Sequence, residues 1–214
     1  MIVSSFSERL AEMNRENCNQ LPTPQVATLL KATAMLRRSG ILEKCLQVGE
    51  TAPDFDVVSC TNDATTLFRL LNEGPVVLNF FRGLWCSYCK TELLAYEQIL
   101  DDLEALGAHY LAVSPHQNIQ TEEFGHSYQV VCDCNNQIAR SFGIVYELGP
   151  DEKQLFASWD LSLTEVNQSE KWELPLPATY IVNPDRRIGF QFVDADFRSR
   201  LPPEDIVNFL RQSP

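Results

Sequence analysis

The sequence predicts an α/β fold in which a mixed central sheet is flanked by helices and preceded by a helical extension. Segments of strand and helix character alternate as β-α-β-α-β-α from about residue 48, and a β-β-α segment closes the chain. The run PVVLNFF at 75–81 is apolar throughout except for Asn79, as expected of a strand buried on both faces. Leucine and isoleucine recur at helical spacing over 87–106, which predicts one long amphipathic helix there. We therefore divide the chain into an extension, 1–46, and an α/β domain, 47–214.

The extension is predicted to be helical. Ser5 or Ser7 is suited to cap a first helix; in a second helix Thr23 fits the N-cap, Pro24 the first position and Gly40 the stop. We expect this second helix to pack on the main domain or on a second subunit, which leaves a homodimer open. Its apolar residues form a one-sided stripe made of Val26, Leu29, Leu30, Thr33 and Leu36.

The remaining elements follow from local patterns. We predict short strands and a helical turn in VGETAPDFDVVSC and TTLFRLL, then a strand at 108–114 and a short helix in TEEFGHSY. These are followed by a strand in QVVC, a helix in NQIARSF and a less regular insertion from about 149 to 172. The chain then forms a hairpin of ATYIV and RIGFQFVD and a closing helix in PPEDIVNFLRQ.

Composition excludes several classes of partner. The net charge of -12 repels phosphate backbones and anionic lipid, so we expect neither nucleic acid nor membrane as a partner. No run approaches the ~20 apolar residues of a membrane span, and the N-terminus lacks the basic and apolar regions of a signal peptide. We expect a cytoplasmic protein whose seven cysteines are thiols, so that any disulfide is catalytic or redox-sensing.

Cys86 and Cys89 stand where the buried strand gives way to a helix. Unpaired N–H groups and the dipole at a helix N-terminus stabilise a thiolate, so the thiol pKa can fall from ~8.5 into the ~3.5–7.5 range. The spacing places both sulfurs on one face of the first turn, where they can form a disulfide. The pair therefore offers a nucleophile and a resolving thiol, and Arg82 adds positive charge near the sulfur or a substrate oxygen.

Two other interpretations of the pair are inert packing and half of a zinc site, with Cys132 and Cys134 as the other half. Zinc sites usually present both pairs on turns, whereas this pair opens a long helix, so we favour redox chemistry. Cys132 and Cys134 also stay candidates for an alternative resolving role. Cys18, Cys45 and Cys60 have no local context for reactivity.

The segment WCSYCK resembles the thioredoxin W-C-x-x-C-K motif at the same strand-to-helix step. Over residues 46–212 the chain resembles the AhpC/TSA peroxiredoxin-like family, in the branch that carries a CxxC. The motifs that carry this resemblance occur in family order: VGETAPDF, FFRGLWCSYCKTEL, AVSP (112–115), DCNNQIARSFGI (133–144) and WELPLPATYIVNPDRRI (172–188).

The resemblance implies a thioredoxin-like fold and a thiol peroxidase that reduces hydrogen peroxide or organic hydroperoxides through a CxxC disulfide. A thioredoxin- or glutaredoxin-type dithiol would reduce that disulfide, and no metal or organic cofactor is implied. The resemblance further implies a cis peptide before Pro177, next to the cysteines. Trp85, Pro177 and Thr179 are the residues expected to contact a substrate or partner chain.

The chain departs from both parent families. Where peroxiredoxins read P-x-x-x-T-x-x-C, Cys86 occupies the threonine position, and Pro177 occupies the position of the usual arginine. Asn79 stands where thioredoxins carry a buried aspartate. Arg82 is the candidate to replace one of the missing peroxide-activating groups.

Two further polar residues are expected to take no part in the chemistry. Glu92 is expected to complement the helix dipole. His116, on the loop after AVSP, is expected to face solvent rather than act as a base.

The two family registers disagree on the attacking sulfur. The thioredoxin register selects Cys86 and the peroxiredoxin register selects Cys89. We assign the attack to Cys86, since it sits at the N-cap where solvent reaches it, and resolution to Cys89, one turn further in. A thiol–disulfide oxidoreductase acting on protein disulfides, and a non-catalytic zinc-binding or redox-sensing module, are the alternative functions.

Overall fold

A computed structural model describes residues 5–58, 64–117, 119 and 129–212 of the chain. Its central sheet has five strands in the spatial order β5-β4-β3-β8-β9. These are β3 (Val76–Phe80), β4 (His109–Ser114), β5 (Gln129–Cys132), β8 (Ala178–Val182) and β9 (Ile188–Val193). Strands β3, β4 and β5 are parallel, whereas β8 is antiparallel to both β3 and β9, so the predicted mixed sheet is confirmed.

The middle strand β3 is buried along its whole length and separates two cores. Because successive side chains alternate between faces, Val76, Leu78 and Phe80 enter one core while Val77 enters the other. The apolar character of this strand, to which Asn79 is the exception, follows from that position. Its carboxyl end delivers the chain to the cysteine pair.

One face of the sheet is covered by helices α1 (Phe6–Gln20), α5 (Ser87–Glu97), α6 (Leu100–Ala105) and α10 (Pro203–Gln212). Helix α1 begins with a capping box between Ser5 and Glu8, which confirms Ser5 as its cap. The prediction of one helix over 87–106 is wrong. Gln98 and Ile99 donate to carbonyls three residues back, which tightens the last turn of α5 and ends it before α6.

The other face is covered by α2 (Thr23–Arg38), α3 (Ile41–Lys44), α4 (Leu67–Leu70), α7 (Gln137–Ser141) and the β1–β2 pair (Asp56–Val58, Ala64–Thr66). Pro22 rather than Thr23 is the N-cap of α2, so that boundary was predicted one residue late. Gly40 adopts φ 73° between α2 and α3, as expected of a glycine that stops a helix.

The segment predicted to be irregular, 149–172, is ordered. It contains α8 (Pro150–Ser158) and α9 (Leu163–Val166), and β6 (Val145–Glu147) pairs with β7 (Glu173–Pro175) across its base. Leu148, Leu155, Phe156, Leu163 and Leu174 give it a small core of its own. Helix α2 packs against α8, so the extension covers the main domain of its own chain.

The predicted cis peptide before Pro177 is wrong, because the described residues contain only trans peptide bonds. The Leu176 amide donates to the Ile144 carbonyl at 2.8 Å, which carries extended chain from β7 directly into β8 and suits the trans form that X-Pro bonds favour. The predicted helix in TEEFGHSY lies outside the described residues. Among those residues, no helix is both long and apolar enough to cross a bilayer.

Candidate active site

The loop between β3 and α5 holds the cysteine pair in place. Gly83 has φ 145°, and a Cβ there would lie 2.4 Å from Trp85 Nε1, so only glycine fits this turn. The Leu84 amide donates to His116 Nδ1 at 3.1 Å. The expected exposure of His116 is therefore wrong: the ring is half-buried and anchors the loop.

Cys86 is the N-cap of α5 and Cys89 lies one turn further into the helix. Both are reduced thiols. Cys86 is 5% exposed and lines a cavity, whereas Cys89 is 0% exposed. A molecule entering from solvent therefore meets the sulfur of Cys86 first.

The two thiols differ in acidity. A hydrogen bond from the Cys89 thiol, helped by the charges of Arg82 and Arg200, outweighs burial and lowers the pKa of Cys86 to about 5. Burial raises the pKa of Cys89 well above its usual value, and the hydrogen bond it gives to Cys86 adds to that. At neutral pH the pair therefore holds a thiolate at Cys86 and a thiol at Cys89.

Arg82 lies in an aromatic box beside the pair. It is 4% exposed, and its guanidinium carbon lies 4.9 Å from the ring centroid of Trp85, 4.7 Å from that of Phe197 and 5.7 Å from that of Phe156. Its Nε has no hydrogen-bond partner among the described residues. A buried cation with a spare donor next to a thiolate is suited to receive an anion or a polarised oxygen.

A second arginine, which the sequence analysis did not find, touches the other sulfur. Arg200 Nη2 donates to Cys89 Sγ at 3.4 Å and Nε donates to Glu92 Oε2 at 2.9 Å. Nη1 donates to the carbonyls of Phe197 and, at 2.7 Å, Ser199. No signal in FRSR marked Arg200, because the preceding loop brings it to the pair only in three dimensions.

Glu92 was expected to complement the helix dipole, and this is wrong. The carboxyl is buried beside Arg200 and Cys89, and burial outweighs the attraction of Arg200, which raises the pKa of Glu92 to about 8. Its position three residues after Cys89, on the same helical face, was the available signal.

The loop bearing Arg200 is tied to the sheet by a buried polar chain. Asn79 Nδ2 donates to Thr179 Oγ1 at 3.5 Å, the Thr179 and Tyr96 hydroxyls are 3.1 Å apart, and Tyr96 donates to the Leu201 carbonyl at 3.1 Å. Thr179 is 0% exposed and Pro177 is also buried. The expected contact of these two residues with a partner chain is therefore corrected, since both lie inside the protein.

The other cysteines are placed as follows. Cys132 is the last residue of β5, which β4 separates from β3, and Cys134 lies just after that strand. The Cys132 sulfur lies 3.9 Å from the His116 carbonyl, and the Cys134 sulfur lies 3.5 Å from Gln117 Oε1. Cys18 is exposed and lines the same cavity as Cys86. Within the described ranges, no three His, Cys, Asp or Glu side chains are grouped as metal ligands.

The sheet and its flanking helices form a thioredoxin-like fold, and the cysteine pair lies at the N-terminus of its helix α5. The AhpC/TSA family profile matches residues 48–191, more than half of the chain, and the chain belongs to that family. Peroxiredoxin 2 of Thermoplasma acidophilum is 25% identical over 151 residues, 61% of this chain and 67% of the relative. The thiol-disulfide oxidoreductase ResA of Geobacillus thermodenitrificans is 30% identical over 102 residues, 45% of this chain and 58% of the relative, so the match spans little more than half of ResA.

Solved structures agree on the fold. The peroxidoxin BcpB of Mycobacterium tuberculosis superposes with a TM-score of 0.59 at 19% identity, over 78% of this chain and 97% of that one. PrxQ of Xylella fastidiosa gives a TM-score of 0.57 at 17% identity, over 78% and 96%. The predicted thioredoxin-like fold is confirmed.

Proposed function

We propose that the protein is a thiol peroxidase that reduces hydroperoxides through a Cys86–Cys89 disulfide. The observation that carries this proposal is the acid-shifted thiol of Cys86, which opens onto a cavity while a fully buried second thiol lies one helical turn away. The match to the AhpC/TSA family and to peroxiredoxins supports peroxide as the oxidant.

In the first step the Cys86 thiolate attacks one oxygen of the peroxide. The S–O bond forms as the O–O bond breaks, and the leaving hydroxide or alkoxide takes a proton to become water or an alcohol. Arg82 lies next to Cys86 and has a spare donor, so it is positioned to stabilise the developing negative charge on that oxygen.

In the second step Cys89 attacks the sulfur of the Cys86 sulfenic acid. The S–S bond forms, the S–O bond breaks, and the hydroxyl leaves as water with the proton of Cys89. Arg200 Nη2 lies 3.4 Å from the Cys89 sulfur and favours the thiolate form that Cys89 needs for this attack. An external dithiol of the thioredoxin or glutaredoxin type then reduces the disulfide, and we place this cycle in the cytoplasm.

The test treats the reduced protein with one equivalent of hydrogen peroxide. We expect rapid loss of two thiols and a Cys86–Cys89 link in peptide maps. With a sulfenic-acid trap, Cys89→Ser should accumulate labelled Cys86, and Cys86→Ser should react slowly. Fast labelling of Cys89 in Cys86→Ser would show that the peroxiredoxin register is correct, and a peroxide-inert protein would reject the proposal.

The second candidate is a thiol–disulfide oxidoreductase that acts on protein disulfides. The similarity to ResA over the CxxC region favours it. Reduction of insulin by the dithiol form, compared with peroxide reduction at matched protein concentration, separates the two. Rapid insulin reduction without peroxide turnover would establish the second candidate.

A further inference from the structure

Cys18, to which the local sequence pattern assigned no role, lies in the helical extension and shares a cavity with Cys86. The cavity has a volume of about 470 Å³, and among the described cysteines these two line it. Cys18 is exposed to solvent, whereas Cys86 is 5% exposed and Cys89 is 0% exposed. One cavity therefore holds an exposed thiol and the nearly buried thiol of the redox pair.

Helix α1 is held against the first turn of helix α5, next to both thiols. The Tyr88 hydroxyl donates to Asn14 Oδ1 at 2.8 Å and accepts from Asn17 Nδ2 at 3.0 Å. Tyr88 follows Cys86 by two residues, and Asn17 directly precedes Cys18. Burial raises the pKa of Tyr88, and the charges of Cys18 and Cys86 both add to that, so both sulfurs lie within electrostatic reach of one hydroxyl.

The low exposure of Cys86 limits which reductant can reach the Cys86–Cys89 disulfide. A small dithiol fits the cavity, whose volume is within the ~300–1,000 Å³ typical of sites for small molecules. A protein dithiol must bring its own folded surface up to the attacked sulfur, and thiol–disulfide exchange depends on access to that sulfur. Cys18 offers an exposed sulfur at the same cavity.

We propose, on the basis of the peroxidase function above, that Cys18 is a relay thiol that carries the disulfide from the buried pair to the protein surface, where a protein dithiol reduces it. Cys18 gives its proton to solvent and attacks the sulfur of Cys86. The Cys18–Cys86 bond forms as the Cys86–Cys89 bond breaks. Cys89 leaves as a thiolate and takes a proton, as it does when a small thiol attacks Cys86 directly.

The external dithiol then attacks the exposed sulfur of Cys18. A mixed disulfide with Cys18 forms, the Cys18–Cys86 bond breaks, and Cys86 leaves as a thiolate. Because the pKa of Cys86 is about 5, and a thiol of low pKa leaves faster, this exchange has a good leaving group. Arg82 stabilises the departing thiolate; it lines the cavity, is 4% exposed, and its Nε has no partner among the described residues.

The cycle closes without a further reactant. The second thiol of the external dithiol attacks the sulfur of its own partner thiol and releases Cys18. One external dithiol is thus oxidised to a disulfide, while the Cys86–Cys89 disulfide becomes two thiols and Cys18 returns to its starting state.

The first experiment measures how fast the disulfide form of the full chain is reduced by thioredoxin and, separately, by dithiothreitol. The disulfide form is prepared with diamide, so that the measurement does not depend on peroxide, and reduction is quantified by alkylating the Cys86 peptide after an acid quench. We expect Cys18→Ser to slow reduction by thioredoxin at least about tenfold, because access to the attacked sulfur is lost, and to leave reduction by dithiothreitol unchanged. Asn19→Ser is the matched control, since Asn19 is exposed on the same helix and does not line the cavity; it should leave both rates unchanged.

The second experiment detects the relay bond itself. In Cys89→Ser oxidised with diamide, peptide maps of the monomer should show Cys18 linked to Cys86. A disulfide requires Cα atoms within ~7 Å of one another, so this link reports directly on the juxtaposition of the two thiols.

The outcomes separate the relay from the peroxidase function. Equal rates of reduction by thioredoxin in wild type and Cys18→Ser would overturn the relay, as would absence of the Cys18–Cys86 link. Equal slowing in Asn19→Ser, or slowing of the dithiothreitol reaction in Cys18→Ser, would show that the thiol itself is not responsible. Failure of the peroxidase function is seen separately, as a wild type that loses no thiols to hydrogen peroxide.

Discussion

Replacing Cys89 with alanine tests the source of the acidity of Cys86. The hydrogen bond from the Cys89 thiol is the largest contribution that lowers the pKa of Cys86 to about 5, with Arg82 and Arg200 adding to it. Alanine removes that donor and leaves both arginines in place. The variant therefore isolates the contribution of one sulfur to the charge state of the other.

The size of the effect can be worked out from the interaction removed. A hydrogen bond to a charged group contributes about 1.5–3 kcal/mol. One pKa unit corresponds to about 1.36 kcal/mol, so we expect the pKa of Cys86 to rise by about 1–2 units. At neutral pH the thiolate fraction would fall from nearly complete to about half at the upper end of that range.

The assay follows alkylation of Cys86 by iodoacetamide as a function of pH, quantified on the peptide that contains Cys86, so that the other cysteines do not contribute. Cys89→Ser is the matched control, because its hydroxyl keeps a donor at the same place; its midpoint should stay close to that of the wild type. A Cys89→Ala midpoint still near 5 would refute the reasoning and assign the acidity to the arginines. Equal rises in both variants would assign it to packing.

Three further predictions concern the groups around the pair. The free energy of unfolding of Glu92→Gln, relative to wild type, should increase as pH rises between about 4.5 and 8, by at most about 1.36 kcal/mol per pH unit. The reason is that the Glu92 carboxyl of the wild type loses its proton at lower pH in the unfolded chain than in the native protein. Urea unfolding at several pH values measures this difference, and a pH-independent difference would contradict the prediction. Gly83→Ala should destabilise the protein by about 1–3 kcal/mol and slow alkylation of Cys86. Gly49 also has a positive φ, but a Cβ added there would meet no atom within 4 Å, so Gly49→Ala should leave the alkylation rate unchanged. Equal slowing in both variants would reject the clash with Trp85. His116→Ala should cost about 1–3 kcal/mol in urea unfolding and speed hydrogen exchange at the Leu84 amide, and unaltered exchange there would show that His116 does not anchor the loop.

Local patterns predicted much of the fold. The apolar run 75–81 identified β3, and Ser5, one of two candidate caps, and the glycine at 40 marked helix ends, because each of these signals acts within a few residues. The break in the helix at Ile99 was missed, since hydrophobic periodicity continues across a short break. Helix α8 was missed because its apolar residues pack on a small separate core.

The candidate site was predicted only in part, for a different reason. Cys86, Cys89 and Arg82 lie within eight positions in sequence and were found together. Arg200 lies 111 residues beyond Cys89 and reaches it through a loop whose position depends on tertiary packing. Thr179 was predicted from a family motif to contact a substrate or partner chain, whereas its strand β8 is buried along its whole length.

The placement of Arg200 next to Cys89 does not make Cys89 the attacking sulfur, because the proposed cycle needs a charge at each sulfur in a different step. In the reduced protein the thiolate is at Cys86, which lines the cavity. When an external thiolate attacks the sulfur of Cys86 in the disulfide, Cys89 leaves as a thiolate inside the protein. Arg200 Nη2, 3.4 Å from the Cys89 sulfur, stabilises that buried charge. Glu92, with a pKa of about 8, still holds a proton at neutral pH that it can donate. In the proposed cycle the buried Arg200 and Glu92 thus stabilise the leaving group, while Arg82 stabilises the peroxide at the cavity.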